Sequence, residues 1–322
     1  MPRRSRLARA RRGPGLTRRR VLQTLGLGAV SAAALGGYAT GLEPLGRLRV
    51  ARYAVSPQGW TPGLRLRIAL IADLHACDPW MPAERIARIV ARANALGPDL
   101  TLLLGDYAAG LPARFRSSAL PSEVWAPLLA GLRTPLGRYA ILGNHDWWAD
   151  AAAQARGRGP TDARRALEAA GVPVLENDAL RLQRDGRPFW LAGLGDQLAL
   201  RPGAGRTAVQ GVDDLQATLA AVSDDAPVIL MAHEPDIFPQ VRAAARRVAL
   251  TVAGHTHGGQ VRLFGRSPVV PSRHGNRYAY GRVTEPRPDG TPADLVVSGG
   301  LGLSVAPIRL GVPPEIVLLE LG

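Results

Sequence analysis

Apolar and polar residues follow two different periods from Arg65 to the end of this 322-residue chain. Apolar runs of strand length cover residues 66–72, 100–104, 139–142, 228–231 and 249–252, with shorter runs near 172–175, 180–184, 189–193, 260–264, 295–298 and 316–319. Helical spacing of apolar positions predicts helices over residues 82–96, 162–170, 213–222 and 237–244. Strands that alternate with helices predict an α/β fold built on a largely buried sheet.

The N-terminal region has a different character. Residues 21–42 carry no charged side chain, and 22 residues in a helix are long enough to cross a hydrocarbon core of about 30 Å. A segment with nine arginines and no acid precedes this run, which is typical of an export signal or a membrane anchor. The junction RRRVL at residues 18–22 resembles a twin-arginine signal. The alternative interpretation is a basic arm for nucleic acid followed by a buried helix.

These patterns divide the chain into three parts. Residues 1–42 are predicted to be a signal or anchor, residues 43–64 a linker rich in Gly, Pro and Arg, and residues 65–322 the folded domain. The small-residue stretches at 34–36 and 38–40 are candidate cleavage sites, and both match such sites only in part. An uncleaved anchor with its arginines on the cytoplasmic side is therefore the alternative to a cleaved signal.

The net charge of +14 does not indicate a nucleic-acid partner once its position is considered. Nine of the positive charges lie before residue 21, and the remaining 302 residues carry a net charge of only +5. All 40 cationic side chains are arginine, which excludes a Walker-A lysine and a Schiff-base lysine for a pyridoxal cofactor. Cys77 is the only cysteine, so neither an intramolecular disulfide nor a cysteine-rich metal site exists.

Five apolar runs end in residues that can ligate a metal. Because ligand sites in α/β sheets form outside the carboxyl ends of strands, these residues are expected to lie together. They are Asp73 and His75, Asp106, Asn144 with His145 and Asp146, His233, and His255 with His257. Any one of them alone is more simply a turn, cap or core residue, but an all-structural explanation of five such strand ends is hard to sustain.

The residue types indicate the metal chemistry. Imidazole and carboxylate ligands without a thiolate suit Mn, Fe, Zn, Co or Ni. Seven oxygen and nitrogen ligands are too many for one tetrahedral ion, and they suit two divalent ions about 3.5–4 Å apart that share a carboxylate. Such a pair binds a phosphate oxygen and supplies hydroxide for attack on phosphorus at neutral pH.

The motifs D-x-H, G-D, G-N-H-D, a lone His and G-H-T-H, in this order, resemble those of the calcineurin-like metallophosphoesterase superfamily over residues 65–322. The stretch 254–260 and the ending at 309–316 resemble a branch of twin-arginine or membrane-anchored bacterial phosphodiesterases, which includes relatives that hydrolyse UDP-2,3-diacylglucosamine in lipid A biosynthesis. The resemblance implies a four-layer αββα sandwich with a dinuclear site. Where the branch commonly has His-Asn-Pro-Asp, this chain has Glu234 after His233.

The resemblance also implies individual roles. One metal would be held by Asp73, His75, Asp106 and His257, and the other by Asp106, Asn144, His233 and His255, with Asp106 bridging. By the same resemblance, His145 would face the substrate and protonate the leaving oxygen, and Asp146 would orient His145. Arg309 would bind the phosphate of the substrate as a clamp.

Taken together, these features predict an exported or membrane-associated hydrolase with its catalytic domain on the extracytoplasmic side. The expected reaction is hydrolysis of a phosphodiester or pyrophosphate, with a lipid-linked ester such as UDP-2,3-diacylglucosamine as one option. A UDP-linked lipid is made inside the cell, which conflicts with export. A phosphomonoesterase or nuclease with the same site, and a non-catalytic metal-stabilised binding module at the membrane, are the alternatives.

Overall fold

The computed structural model describes residues 17–322, so most of the arginine-rich part of the predicted signal lies outside the described residues. Its helices are α1 Arg18–Gly37, α2 Ala83–Ala95, α3 Ser122–Ala130, α4 Asn144–Trp148, α5 Ala151–Arg156, α6 Asp162–Ala169, α7 Leu215–Ala220 and α8 Phe238–Ala243. Its strands are β1 Arg49–Val55, β2 Leu66–Ile71, β3 Cys77–Asp78, β4 Leu100–Leu103, β5 Ser118–Ala119, β6 Arg138–Ala140, β7 Asp178–Arg184, β8 Arg187–Gly193, β9 Val228–Met231, β10 Leu250–Ala253, β11 Gly281–Pro286, β12 Pro292–Val297 and β13 Glu315–Leu321.

Two sheets form the centre of the domain. The five-stranded sheet has the order β1-β13-β2-β4-β6, and the six-stranded sheet has the order β11-β12-β10-β9-β8-β7. β2, β4 and β6 are parallel, as are β8, β9, β10 and β12. The parallel strands of each sheet therefore end at one edge, and each such edge can carry a ligand site.

Three apolar interiors separate four layers. Ile68 and Leu70 of β2 pack between the two sheets against Met231 of β9. Ile71, on the opposite face of β2, packs with Ile86 and other residues of α2, α3 and α6. The outer face of the six-stranded sheet packs against α7 and α8. Because both faces of the central strands are buried, they are apolar throughout, and the αββα sandwich predicted from the sequence is confirmed.

Some predicted elements differ from the observed ones. Residues 43–64, which the sequence pattern predicts to be a linker, contain β1, an edge strand that pairs in parallel with β13. Residues 172–175 and 260–264 are not strands and make only isolated bridges, one in the first stretch and two in the second. The helices α3, α4 and α5 and the strands β3, β5 and β11 are additional to the prediction.

The N-terminal helix α1 stands clear of the domain, and none of its residues is buried against the rest of the described chain. Together with the following π-helical segment Tyr38–Gly46, it is long and apolar enough to cross a membrane. The segment Tyr38–Gly46 packs on the domain instead, with Ala39, Glu43 and Pro44 buried. The Pro44 carbonyl accepts a hydrogen bond from the Arg85 guanidinium. This segment therefore attaches α1 to the domain.

Candidate metal centre

Strand ends from both sheets bring the predicted ligands together. β2, β4 and β6 end shortly before Asp73, Asp106 and Asn144, while β9 and β10 end shortly before His233 and His255. The seven predicted ligands are all buried: Asp73, His75, Asp106, Asn144, His233, His255 and His257. The strand-end reasoning thus locates the cluster correctly, where the two sheets meet at their carboxyl edges.

One group of ligand atoms joins the loop after β2 to the turn after β10. Donor atoms of Asp73, His75 and His257 lie within 4.8 Å of one another. His257 Nε2 is 3.6 Å from Asp73 Oδ1 and 3.0 Å from His75 Nε2. Metal–ligand bonds of about 2.1 Å place neighbouring ligand atoms about 3.0–3.4 Å apart, so this group has the spacing that one divalent ion requires.

A second group lies beside the first, and one of its members, Asp106, also lies close to His75. Asp106, His233 and His255 offer donor atoms within 4.8 Å of one another, and Asn144 Oδ1 is 2.9 Å from His255 Nδ1. Asp106 Oδ2 is 3.3 Å from His233 Nε2 and 3.5 Å from His75 Nε2. Asp106 therefore lies between the two groups, which is the position of a bridging carboxylate.

Hydrogen bonds on the far side of two imidazoles fix their tautomers. His75 Nδ1 donates to the Ala108 carbonyl at 2.9 Å, and His233 Nδ1 donates to the Leu104 carbonyl at 2.7 Å. Nε2 of each ring therefore faces the Asp106 carboxylate, which raises the pKa of His233 against the effect of burial. A metal ion between these atoms would replace the proton that the carboxylate attracts to His233, so this arrangement fits a metal centre.

Burial determines the charge states in the cluster. It lowers the pKa of His75 to about 3, and it also lowers the pKa values of His255 and His257, so these imidazoles are neutral and able to ligate. Burial raises the pKa of Asp73 to about 7, and Asp73 Oδ2 is a buried atom without a hydrogen-bond partner among residues 17–322. A bound cation would compensate both the charge and the unpartnered oxygen.

The backbone of the cluster is strained. Five of the seven predicted ligands have left-handed φ values between 48° and 66°: Asp73, His75, Asp106, His255 and His257. Each such residue costs of order 1–3 kcal/mol, which persists where the surrounding structure enforces a functional geometry. Gly143 permits the close approach of the loops, because a Cβ there would lie 2.4 Å from Asp106 Oδ1.

Asp146 has a different role from the one predicted. Its carboxylate accepts four backbone N–H hydrogen bonds, from Asp106 and Gly143 at 2.9 Å each, Tyr107 at 2.8 Å and Ala108 at 2.9 Å. Among the residues of the described chain, none of its hydrogen bonds comes from the imidazole of its neighbour. Asp146 therefore holds the loop after β4 against the loop after β6, and this corrects the expectation that it orients the neighbouring histidine.

His145 is half-buried at the edge of the cluster. Its N–H donates to Asp106 Oδ1 at 2.8 Å, and its ring makes an edge contact with His75 at 4.8 Å between centroids. Its Nε2 lies 3.5 Å from the hydroxyl of Ser304, a residue that the sequence pattern did not single out. His145 is thus the histidine of the cluster that is accessible from outside.

Arg309 does not lie where a phosphate clamp must lie. Its side chain is fully buried, and the guanidinium donates to the carbonyls of Gly299, Gly302 and Val312. Its Nη2 is 3.1 Å from His257 Nδ1, on the side of that ring away from the other ligands. The predicted contact with substrate is therefore replaced by a structural one, because the donors that would bind phosphate are engaged by backbone.

Two acidic residues beside His233 were not predicted as part of the site. Asp196 and Glu234 place carboxylate atoms within 4.8 Å of the ligand atom of His233. Glu234 Oε2 accepts the N–H of Gln197 at 3.1 Å, which ties the loop after β8 to the ligand loop. Asp196 follows an apolar strand in the same way as the predicted ligands, so the strand-end pattern contained this signal.

Known proteins support this description. The family model described as calcineurin-like phosphoesterase matches residues 66–259, more than half of the chain. The uncharacterized metallophosphoesterase YkuE of Bacillus subtilis is 28% identical over 92% of this chain and 93% of its own length. Phosphodiesterase YaeI of Escherichia coli is 28% identical over 79% of this chain and 82% of its own length.

Animal relatives are longer. A zebrafish (Danio rerio) protein named transmembrane protein with metallophosphoesterase domain is 29% identical over 61% of this chain. This chain spans 41% of that protein and 48% of a relative from Caenorhabditis elegans. Residues 66–259, which the family model matches, contain all the motifs that supply the buried ligand cluster. The chain belongs to the calcineurin-like phosphoesterase family of metal-dependent phosphoric ester hydrolases.

Proposed function

We propose that the chain hydrolyses a phosphodiester or a pyrophosphate with two divalent metal ions, and that the ester is part of an amphiphilic, lipid-linked molecule. The observation that carries the dinuclear proposal is the convergence of His75 Nε2 and His233 Nε2 on the shared carboxylate of Asp106, with Nδ1 of each ring engaged by a backbone carbonyl. One group offers Asp73, His75, Asp106 and His257, and the other offers Asp106, Asn144, His233 and His255. Both sets contain only nitrogen and oxygen, which suits Mn, Fe, Zn, Co or Ni.

The protein groups have separate tasks in this reaction. When bound, the ions supply charge stabilisation to the phosphoryl oxygens and a hydroxide nucleophile at neutral pH. His145, with its ring at the accessible edge of the cluster, donates a proton or a hydrogen bond to the departing oxygen. Asp146 keeps the Asp106 loop in place, and Arg309 supports His257 from behind.

A cavity of about 350 Å³ adjoins the cluster on the His255 side. Trp148, Leu198 and Pro271 provide apolar walls. Arg273, whose Nε lies 3.6 Å from Asp236 Oδ1, also lines the cavity, together with the carboxylates of Asp236 and Glu234. The Trp148 indole is fixed by its Nε1–H, which donates to the Leu198 carbonyl at 2.9 Å. We assign this cavity to the organic group esterified to the phosphate. A larger cleft of about 870 Å³ between α7 and α8 contains none of the predicted ligands, so it is not the candidate site.

We further propose that α1 anchors the domain to a membrane and that the twin-arginine machinery exports it, which places the catalytic domain on the extracytoplasmic side. The length and apolar character of α1, its exposed surface and the transmembrane name of the zebrafish relative support attachment to a membrane. On that side, a UDP-linked lipid is not available, so another lipid-linked phosphodiester is the favoured substrate class. A reporter fused to the C-terminus tests the topology. Reporter activity in the cytoplasm would contradict export and would restore UDP-2,3-diacylglucosamine as a candidate substrate.

The catalytic proposal is tested with the full chain in detergent. Hydrolysis of bis(p-nitrophenyl) phosphate is measured after chelation and again after Mn²⁺ is restored, and p-nitrophenyl phosphate is measured in parallel. We expect metal-dependent diester hydrolysis, and the His145→Ala variant should lose about 10²–10⁴-fold in kcat at unchanged metal content. His274→Ala is the matched control, since His274 lies outside the cluster and contacts Tyr278.

The possible outcomes separate the alternatives. Preference for the monoester favours a phosphomonoesterase with the same site, and cleavage of a DNA or RNA substrate favours a nuclease. Metal binding without hydrolysis of either ester contradicts the enzyme proposal and favours a metal-stabilised binding module.

A further inference from the structure

A group of apolar side chains is exposed close to the segment that follows α1. Phe264 is fully exposed, and Leu263 and Val305 are 50% and 69% exposed. Leu42 and Leu45 on the segment Tyr38–Gly46 are 58% and 44% exposed. Single exposed apolar residues are common on protein surfaces, so the argument depends on whether these five are adjacent.

Backbone hydrogen bonds connect the segments that carry these residues. The N–H of Arg309 donates to the Ala39 carbonyl at 2.8 Å, and the N–H of Arg262 donates to the Leu310 carbonyl at 2.7 Å. The turn at residues 263–266 and the segment Tyr38–Gly46 are therefore both attached to the stretch 309–310. The Gln260 amide donates to the Ser304 carbonyl at 2.8 Å, which places Val305 in the same region.

The turn presents Phe264 in a fixed position. Leu263 and Arg266 exchange two backbone hydrogen bonds of 2.8 and 2.9 Å, and Phe264 and Gly265 both have left-handed φ values, 51° and 77°. A bulky residue rarely adopts this conformation. Positive φ at both central positions is the geometry of a two-residue hairpin turn, and this turn holds the ring of Phe264 out from the surface.

The exposed charges on the segments that carry or adjoin these residues have one sign. They are arginines that are exposed or half-buried, at positions 47, 114, 116, 262 and 266, and the exposed acid Glu84 lies nearby, beside Arg85, which donates to the Pro44 carbonyl. In the segments 38–48, 113–116, 262–266 and 303–310, Glu43 is the single acidic residue, and it is buried. An apolar centre with an arginine rim is complementary to an anionic bilayer, in which rings enter the interface and guanidinium groups meet lipid phosphates.

We infer that the surface formed by Leu42, Leu45, Leu263, Phe264 and Val305, with its arginine rim, rests on the membrane that α1 enters. The bilayer is favoured as the occupant because the surface continues directly from the C-terminal end of α1. The inference rests on the proposed membrane attachment. It adds a second contact, which sets the orientation of the domain and brings Ser304, and with it the accessible face of His145, next to the lipid headgroups.

The test uses the full chain in lipid nanodiscs that contain phosphatidylglycerol. An environment-sensitive fluorophore is attached to Phe264→Cys, and quenching by doxyl-labelled lipid is measured. Cys77 is buried, so the wild type serves as the blank. Leu27→Cys on α1 is the positive control, and Asp185→Cys is the negative control, because it lies at the amino end of β8, opposite the carboxyl edge of the sheet.

We expect the label at 264 to shift its emission to the blue and to lose about twofold in intensity to doxyl lipid, as the label at 27 does and the label at 185 does not. The effect should weaken when phosphatidylcholine replaces phosphatidylglycerol. Quenching at 27 without quenching at 264 overturns the inference and leaves the anchor intact. A blue shift at 264 without quenching overturns it, because the label then lies in an apolar environment out of reach of the lipid, and no quenching at either position contradicts membrane attachment itself.

Discussion

Asp146 offers the sharpest test of how the metal centre is held. In Asp146→Asn, an amide nitrogen replaces one carboxylate oxygen, and two backbone N–H groups that now donate to that oxygen face another donor. Each orphaned buried N–H costs about 1–3 kcal/mol. The gain from removing a buried charge, whose pKa burial raises to about 7, offsets part of this. We expect a net loss of about 2–4 kcal/mol in the free energy of unfolding.

The same substitution should weaken metal binding, because the loop with Asp106 loses the contacts that fix it. Loss of a residue that supports a ligand typically lowers metal affinity by about 10–100-fold. Thermal unfolding in the presence of chelator measures stability, and calorimetric titration with Mn²⁺ measures affinity. Asp150→Asn is the matched control: Asp150 is also buried and accepts backbone N–H bonds, from Ala153 at 2.8 Å and Asp162 at 2.9 Å, outside the cluster.

The control should lose stability and keep its affinity for Mn²⁺. If Asp146→Asn binds Mn²⁺ as the wild type does but has lower kcat and an altered pH profile, the carboxylate acts on His145 and the loop-holding role is refuted. If it is destabilised no more than Asp150→Asn and binds metal normally, the four hydrogen bonds do not position the Asp106 loop.

Three further outcomes follow from the geometry. Gly143→Ala should abolish hydrolysis, because its Cβ would lie 2.4 Å from Asp106 Oδ1. Gly28→Ala, whose Cβ would have nothing within 4 Å, should leave the rate of hydrolysis unchanged. An active Gly143→Ala variant would show that the loops can separate. Arg309→Met should lower the free energy of unfolding in chelator-treated thermal unfolding, because it leaves three buried carbonyls without a donor, at about 1–3 kcal/mol each. It should leave KM unchanged in diester assays, and a raised KM at normal stability would restore the phosphate-clamp role. Mn²⁺ at about 100 times its Kd should stabilise the wild type by about 2.7 kcal/mol in thermal unfolding. The Asp106→Asn variant should lose most of this stabilisation. Equal stabilisation of both proteins would show that Asp106 is not a ligand.

The sequence was sufficient for the parts of the fold that repeat a pattern. β2 and β9 are apolar on both faces because sheets and helices cover them, so their runs are continuous and easily found. The ligand cluster was also predictable, because each strand contributes its polar residue at its carboxyl end. β1 was missed because its arginines at 49 and 52 face solvent at the sheet edge, which makes the segment resemble a linker.

Local sequence could not show where side chains point once loops pack against each other. Asp146 adjoins His145 in the chain, yet its carboxylate turns to backbone donors that come from residues 106–108. A charged residue such as Arg309 is expected at the surface, but its guanidinium is buried against three backbone carbonyls and Nδ1 of His257. The contact of Asp146 with Ala108 spans 38 residues and that of Arg309 with His257 spans 52, which no local pattern encodes.

The segment Tyr38–Gly46 limits where the chain can be cut. Cleavage within residues 34–36 would release the domain with its packed N-terminal segment whole. Cleavage within residues 38–40 would remove or expose Ala39, whose carbonyl pairs with the N–H of Arg309, and would leave that buried group without a partner. Of the two candidate cleavage sites, only the first would leave the core of the domain intact. Cleavage at the second would weaken the support that Arg309 gives to His257, and we expect it to lower activity.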